Sequence, residues 1–491
     1  MYFDKGAVLS QIKKVHFIGI GGSGMSGIAL AAHEVGIEVT GSDLKETRYM
    51  RALHRAGVSV IVGHEPCNVM DEDIDVVVVS TAIPETNPEY QAAMERGLEI
   101  WPRARMLAYL SRGFKTLAVA GTHGKTTTSS MLATALDRLG ADPTFMIGGV
   151  VDGYDSNART GKGEYFVVEA DESDGSFTWL SPSLALITNI EVDHIDHYGG
   201  LDEIVSSFRS FLEQVDEDGI VVVWADSPGL LELAKASGRR VCTYGTGENA
   251  DVRLEPKGVS DFDVVFADGR KSSLVLCVSP GLHNKLNATG VMAALDILGF
   301  DREASARAVS AYQGVRRRFD RIGVSQGVTV IDDYGHHPTE VAATLKAASE
   351  LGYNKIHVLF QPHRYSRTQV FLDDFASAFE CADTVSIMEI YSAGEAPIPG
   401  VNGQALSDAI AQKSADKTVQ FIKHRQDTVE AMAGLAKDGD MIITMGAGDV
   451  TVLAPMILEL LKQGDPETPA DPDTAEKGEV TTSVANNGGT A

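Results

Sequence analysis

The stretch that most constrains this chain is Ala118-Val-Ala-Gly-Thr-His-Gly-Lys-Thr-Thr-Thr-Ser-Ser-Met-Leu132. The apolar run Thr116 to Ala120 predicts a buried strand, and Gly121 to Thr127 a tight turn. Met131, Leu132, Ala135, Leu136 and Leu139 share one face of a helix from Ser129 to Leu139. Strand, glycine turn, Lys-Thr and helix, in that order, cradle phosphate. Backbone N–H groups and the helix N-terminus face the anion, Lys125 neutralises it, and Thr126 can hold Mg²⁺. The common loop pattern carries a glycine five residues before Gly124, where this chain has Val119. The plainer reading is a glycine turn capping an ordinary helix; the Lys-Thr offset and the flanking elements favour the cradle.

A chain of 491 residues has room for roughly two to four domains. Its formal charge of −26 disfavours a general nucleic-acid binder, which needs a basic face. Cys67, Cys242, Cys277 and Cys381 are scattered, form no CxxC, and read as reduced thiols. No apolar run approaches the length of a membrane span, so no stable membrane insertion is expected. The N-terminus lacks the charged-then-apolar order of a secretion signal. A cytoplasmic location is the expectation. Residues 466–491 are rich in Asp, Glu, Pro, Thr and Gly and are expected to form a disordered acidic tail; a docking tail is the alternative.

Along the chain, Lys14 to Gly27 reads as strand, glycine turn and helix. Gly19, Gly21 and Gly24 fit a dinucleotide fingerprint, and Asp43 ends the next strand, Glu38 to Ser42. Such a turn receives a pyrophosphate, from a sugar nucleotide as readily as from NAD. Strands Val58 to Val62 and Asp75 to Ser80 complete a Rossmann-like unit, and the segment around Trp101 reads as a linker. Tyr165 to Asp174 is an apolar strand ending in acids, where a Mg²⁺-binding carboxylate belongs; a solvated strand end is the alternative. Leu184 to His197 runs from a buried strand into Asp193-His194 and Asp196-His197. That cluster lacks three firmly spaced zinc ligands, and a Mg²⁺ role beside a nucleotide is more economical. A β-rich patch, Val252 to Ser279, precedes a helix opening near Gly281. On it Asn284 either meets an adenine edge or caps the helix. In the last third, the loops Asp332 to Glu340 and Gln361 to Thr368 follow strands, where open α/β sheets bind ligands. Helix-entry packing for His336 and His337, and a solvated face for Arg364 and Arg367, are the alternatives.

Taken together and in order, these motifs resemble the Mur ligases of peptidoglycan synthesis. The segments that carry the resemblance are Gly19–Gly27, Gly121–Thr128, Glu169–Asp174, Asn189–Asp196, His283–Asn287, Arg317–Phe319, Asp332–Glu340, Gln361–Thr368 and Gly446–Gly448. The first glycine turn and the two-histidine loop point to the alanine-adding branch. The resemblance implies an α/β chain of three domains: a Rossmann-like UDP-sugar domain (1–105), a central P-loop ATPase domain (106–320) and a Rossmann-like amino-acid domain (321–465). It implies that ATP phosphorylates the lactyl carboxylate of UDP-N-acetylmuramate. The amine of L-alanine then attacks the acyl phosphate, and phosphate leaves from a tetrahedral intermediate.

The resemblance also implies the site. Gly121, Thr122, His123, Gly124, Lys125, Thr126 and Thr127 would hold ATP, with Asn284 and Asn287 near the base and Arg318 and Asp333 near phosphates and ribose. Thr126, Glu169 and His194 would bind Mg²⁺. Gly19, Gly21, Gly22, Ser23, Gly24 and Asp43 would take the UDP-sugar, and Tyr334 and His363 the remaining substrate contacts. Lys125, His194, His336, Arg364 and Arg367 would be catalytic. A homodimer is compatible with the reading. The position at which several siblings carry a carbamylated lysine is Arg209, so no such modification is expected. The rivals are a recycling ligase that attaches a murein tripeptide to the same UDP-sugar, an NAD(P)-dependent oxidoreductase and a non-catalytic nucleotide-binding module.

Overall fold

The computed structural model of the chain describes residues 11–463 apart from 81, 174, 194–197, 228 and 415–416. The described strands form three sheets. The expected tail, 466–491, lies outside the described residues.

The first sheet holds β1 (Lys14–Ile18), β2 (Glu38–Asp43), β3 (Ser59–Val62), β4 (Val76–Val79) and β5 (Glu99–Pro102), in the order β3-β2-β1-β4-β5. All its pairings are parallel. The inner strand β1 is apolar almost throughout because helices cover both of its faces. The segment expected as a linker is β5, with Trp101 buried opposite Val78. It was hard to read because it is four residues long, begins with Glu99 and ends with a proline, which an edge strand tolerates. The expected boundary at 105/106 falls inside the helix Arg103–Ser111.

The second sheet contains β6 (Lys115–Ala120), β7 (Thr144–Val151), β8 (Ser156–Arg159), β9 (Tyr165–Glu169), β10 (Leu184–Ile187), β11 (Ile220–Trp224), β12 (Arg240–Gly245), β13 (Val252–Pro256), β14 (Asp261–Phe266) and β15 (Lys271–Val275). Its order is β15-β14-β13-β12-β11-β10-β6-β9-β7-β8. Strand β6 lies between parallel β9 and β10, so the acids after β9 and the polar turn after β10 flank the loop that follows β6. The β-rich patch is the antiparallel run β13 to β15. After the loop, the helix starts at Lys125, four residues before the expected Ser129. Its Thr126 to Ser130 segment is buried on every side, so no polar face marks its first turns.

The third sheet holds β16 (Asp320–Ser325), β17 (Val328–Asp333), β18 (Ile356–Phe360), β19 (Thr384–Ile387), β20 (Thr418–Phe421) and β21 (Met441–Met445), in the order β16-β17-β21-β18-β19-β20. Only the edge hairpin β16–β17 is antiparallel. The apolar clusters of this sheet draw on no described residue before Phe319. By contrast, one cluster runs without a break from the first sheet into the second, joining Met25 and Ile28 to Met146 and Ala158. The four cysteines are free, and no described helix is long and apolar enough to cross a membrane.

Candidate active site

The loop after β6 is shaped by backbone geometry. Gly121 has φ +128°, and a Cβ there would lie 2.1 Å from Thr188 Oγ1. Only glycine fits, which makes a second glycine at Val119 unnecessary: that residue is fully buried in β6. Gly124, at φ +83°, precedes the helix Lys125–Arg138 and packs on Asn287.

Lys125 is buried. Its Nζ donates to Gly121 O at 2.7 Å and Thr122 O at 3.2 Å and lies 2.8 Å from Glu172. Burial works against its charge, but Glu172, Asp171 and Glu169 outweigh burial and raise its pKa. The Thr126 hydroxyl donates to Glu169 Oε1 at 2.9 Å, and Gly148 N–H donates to Glu169 Oε2 at 2.7 Å. Burial raises the pKa of Glu169. A hydroxyl and a carboxylate so placed are hard oxygen donors of the kind Mg²⁺ takes. His194, the other expected metal ligand, lies outside the described residues.

A cavity of roughly 720 Å³ opens over this loop, and all three sheets contribute to its wall. Lys125, Thr126 and Glu169 come from the second; Tyr334, His336, His363, Arg364 and Arg367 come from loops of the third. Arg316, Arg317 and Arg318 line it from the junction. An acidic protein of net charge −26 thus gathers cations around one cavity, as recognition of phosphates and carboxylates requires.

The loop residues of the third sheet are held closely. Arg367 is buried and donates to Asp193 Oδ1 at 2.8 Å. His363 stacks on Tyr391 with ring centroids 5.6 Å apart. Burial and the neighbouring Arg367 and Arg364 push its pKa down to about 4. His336 Nδ1 donates to Tyr334 O, 3.1 Å away, and burial lowers its pKa to about 3, so it is neutral near pH 7. Arg364 has φ +70° at the start of the short helix Tyr365–Val370. His337 takes the helix-entry role: with Glu340 it forms a capping box before Pro338.

A neighbouring cavity of roughly 190 Å³ is lined by Thr127, Asn284, Asn287, Arg318 and Asp333, with His123 and Gly124. Asn284 does not cap its helix, where Gly281 is the N-cap; its Nδ2 donates to Pro280 O at 3.1 Å. Asp333 accepts from Phe319 N at 2.8 Å and Gly335 N at 2.7 Å, and burial lifts its pKa to about 6.

The first glycine turn stands apart. Gly19, Gly21, Gly22 and Gly24 run from the end of β1 into the helix Ser23–Glu34, which the expected Ser23 begins, and these four glycines do not line the large cavity. Asp43 accepts from Gly21 N at 2.9 Å, so it braces the turn. The first sheet reaches the cavity through Arg48 and Tyr49, which follow the Thr47 cap that bonds Gly21 O. Sequence reasoning missed this pair because one arginine and one tyrosine on a surface helix carry no pattern. It also left Glu191 and Glu340 without roles and named Glu172 and Asp193 only as members of acidic clusters, although each lies within a quoted motif. The His-Pro-Thr-Glu order was a legible capping signal for Glu340. Arg209 is exposed on the helix Leu201–Glu213.

Family comparisons agree with this geometry. Residues 14–115 match the Mur ligase family catalytic domain, 119–295 the Mur ligase middle domain, and 317–448 the Mur ligase glutamate ligase domain. The chain is 43% identical over 454 residues to a UDP-N-acetylmuramate--L-alanine ligase of Solidesulfovibrio magneticus, covering 92% of this chain and 98% of that one. Among solved structures it resembles a UDP-N-acetylmuramate-alanine ligase of Thermotoga maritima, with TM-score 0.75, 31% identity and coverage of 92% and 100%. It also resembles a murein peptide ligase of Psychrobacter arcticus, with TM-score 0.66, 26% identity and coverage of 92% and 99%. The loop, the paired acids and the arginine-lined cavity are therefore those of a family member: this chain belongs to the Mur ligase family.

Proposed function

We propose that this protein joins L-alanine to the lactyl carboxylate of UDP-N-acetylmuramate, converting ATP to ADP and phosphate. The supporting observation is the single cavity in which the phosphate loop of the second sheet faces the arginine loops of the third. No side-chain nucleophile is required. A carboxylate oxygen of the sugar substrate attacks the γ-phosphorus and ADP leaves. The amine then adds to the acyl carbon, and phosphate departs with that carboxylate oxygen. The protein contributes positioning and charge neutralisation.

Lys125 leaves Glu172 to meet the β- and γ-phosphates. Thr126 and Glu169 would hold Mg²⁺, which when bound offsets phosphate charge. Asn284, Asn287 and Asp333 line the base and ribose side. Neutral His336 and His363, with Arg364 and Arg367, surround the amino acid and the acyl phosphate. The first glycine turn holds the UDP diphosphate, with Arg48 and Tyr49 on its cavity side. A cytoplasmic site of action follows from the nucleotide substrates.

The test is phosphate release from ATP with UDP-N-acetylmuramate and a panel of amino donors. L-alanine should support turnover and a murein tripeptide should not. Turnover with the tripeptide alone assigns the chain to the recycling reaction instead.

A further inference from the structure

His123 lies between the two glycines of the phosphate loop, yet its side chain turns toward the third sheet. Its main chain is pinned to the turn after β10: the N–H donates to Asn189 Oδ1 at 3.0 Å. The carbonyl accepts from Thr188 Oγ1 at 2.6 Å and Asn189 Nδ2 at 3.0 Å. The ring spans the junction, with Nε2 3.6 Å from Glu191 and Nδ1 3.5 Å from Glu340. These are ion-pair distances rather than hydrogen bonds, with one carboxylate facing each ring nitrogen, an arrangement that suits an imidazolium. Both carboxylates are tied further into the third sheet's loops. Glu191 accepts from Thr339 Oγ1 at 3.0 Å. Glu340 accepts from His336 N at 3.1 Å and His337 N at 3.3 Å and pairs with Arg318 at 3.3 Å. The node that receives His123 therefore also sets the backbone presenting His336 to the cavity.

We propose that His123 is a positioning residue that couples occupancy of the phosphate loop to docking of the third sheet's loops, and so to assembly of the amino-acid site. The inference rests on the ligase reading above. Phosphate entering the loop draws Lys125 from Glu172 and shifts the loop. His123 shifts with it and biases Glu340 toward the arrangement that presents His336. Coupling of this kind is reciprocal: amino acid bound in the third sheet's loops must tighten nucleotide binding by the same factor. The same corner offers His123, Glu191 and His337 ligand atoms within 4.8 Å of one another. A zinc ion needs nitrogens at about 2.0–2.1 Å, and the Thr339 N–H already occupies His337 Nδ1 at 3.4 Å. Two carboxylates flanking His123 favour the imidazolium.

The experiment uses the full chain as wild type, His123→Asn, Glu340→Gln and the double variant, with His123→Gln as a second substitution should the first fail to fold. His123→Asn should raise KM for the amino acid about tenfold and weaken nucleotide binding to the amino-acid-bound protein by the same factor, while nucleotide affinity in the absence of amino acid changes little. The double variant should be no worse than the worse single one, because both remove one contact. In solution scattering, a non-hydrolysable ATP analogue should compact the wild type and leave His123→Asn unchanged. Nucleotide affinity weakened equally with and without amino acid, with unaltered compaction, would make His123 a nucleotide ligand only and overturn the proposal, as would multiplicative losses in the double variant. A wild type that compacts through His123 but uses another amino donor would refute the ligase reading and leave the coupling standing.

Discussion

The two junctions that assemble this protein differ in kind. Between the first and second sheets the seam is apolar. The helix Ser23–Glu34 lies against β7 and β8 within one continuous cluster, so tightly that a Cβ on Gly27 would lie 2.7 Å from Ala158 Cβ. Between the second and third sheets the side-chain ties are polar: Arg367 to Asp193 at 2.8 Å, Thr339 to Glu191 at 3.0 Å and His123 to Glu340 at 3.5 Å. Packed apolar seams resist small displacement because any gap forfeits contact. Polar ties can part and re-form, since water satisfies the separated groups. On the proposed function, the first two sheets would therefore act as one body carrying UDP-sugar and ATP, to which the third would deliver the amino acid.

The largest expected effect tests the chemistry placed between these bodies. Lys125→Ala should lower phosphate release by roughly a hundred- to thousandfold, while calorimetry finds UDP-sugar affinity retained. Equal loss of both would mean that the two nucleotide sites are not separable. Next, Arg367→Met removes the charge-assisted hydrogen bond to Asp193, which is only 4% exposed. Losing such a bond costs about 1.5–3 kcal/mol, and the loss should fall on docking of the third sheet. Protease should then cut near the 314–320 junction while the first two sheets melt as before. A uniform fall in melting temperature would erase the contrast between the seams. Gly27→Leu probes the apolar seam: overpacking should destabilise the chain by about 1–3 kcal/mol in denaturant titration. Amino-acid KM should stay unchanged, and a shift in it would show that the seams communicate.

The smallest effect concerns pH. Burial opposes the charge of His123, but the flanking carboxylates of Glu191 and Glu340 lift its pKa from 6.5 to about 9. Its contribution is full below 6.5 and is lost as pH rises through about 9. The groups facing it are Glu191, Glu340 and His337, with Arg318 and His336 reaching Glu340. The stability difference between wild type and His123→Asn should therefore shrink above pH 9, and a difference constant to pH 10 would mean that the imidazolium is not what ties the junction.

Local pattern made much of the molecule legible. Gly121 to Thr127 could be read because a phosphate cradle demands glycine, lysine and threonine at fixed offsets. The arginine loops could be read because they follow apolar strands. Less was visible where the cause is tertiary. Lys125 is neutralised by Glu172, 47 positions away, and Arg367 by Asp193, 174 positions away. Strand β5 hid behind charge and proline. Arg48 and Tyr49 reach the cavity only because the apolar seam sets the first sheet's angle. Asp43 fits the spacing of a dinucleotide fingerprint, while its acceptance of the Gly21 N–H, which braces the turn, is a tertiary contact the spacing does not give.

The most direct measurement of the central claim is isotope transfer. UDP-N-acetylmuramate labelled with ¹⁸O in its lactyl carboxylate is turned over with ATP and L-alanine, and the released phosphate is analysed by mass. If the phosphate loop delivers the γ-phosphoryl group to that carboxylate, one ¹⁸O appears in inorganic phosphate for each alanine joined. Unlabelled phosphate released alongside full amide formation would contradict it.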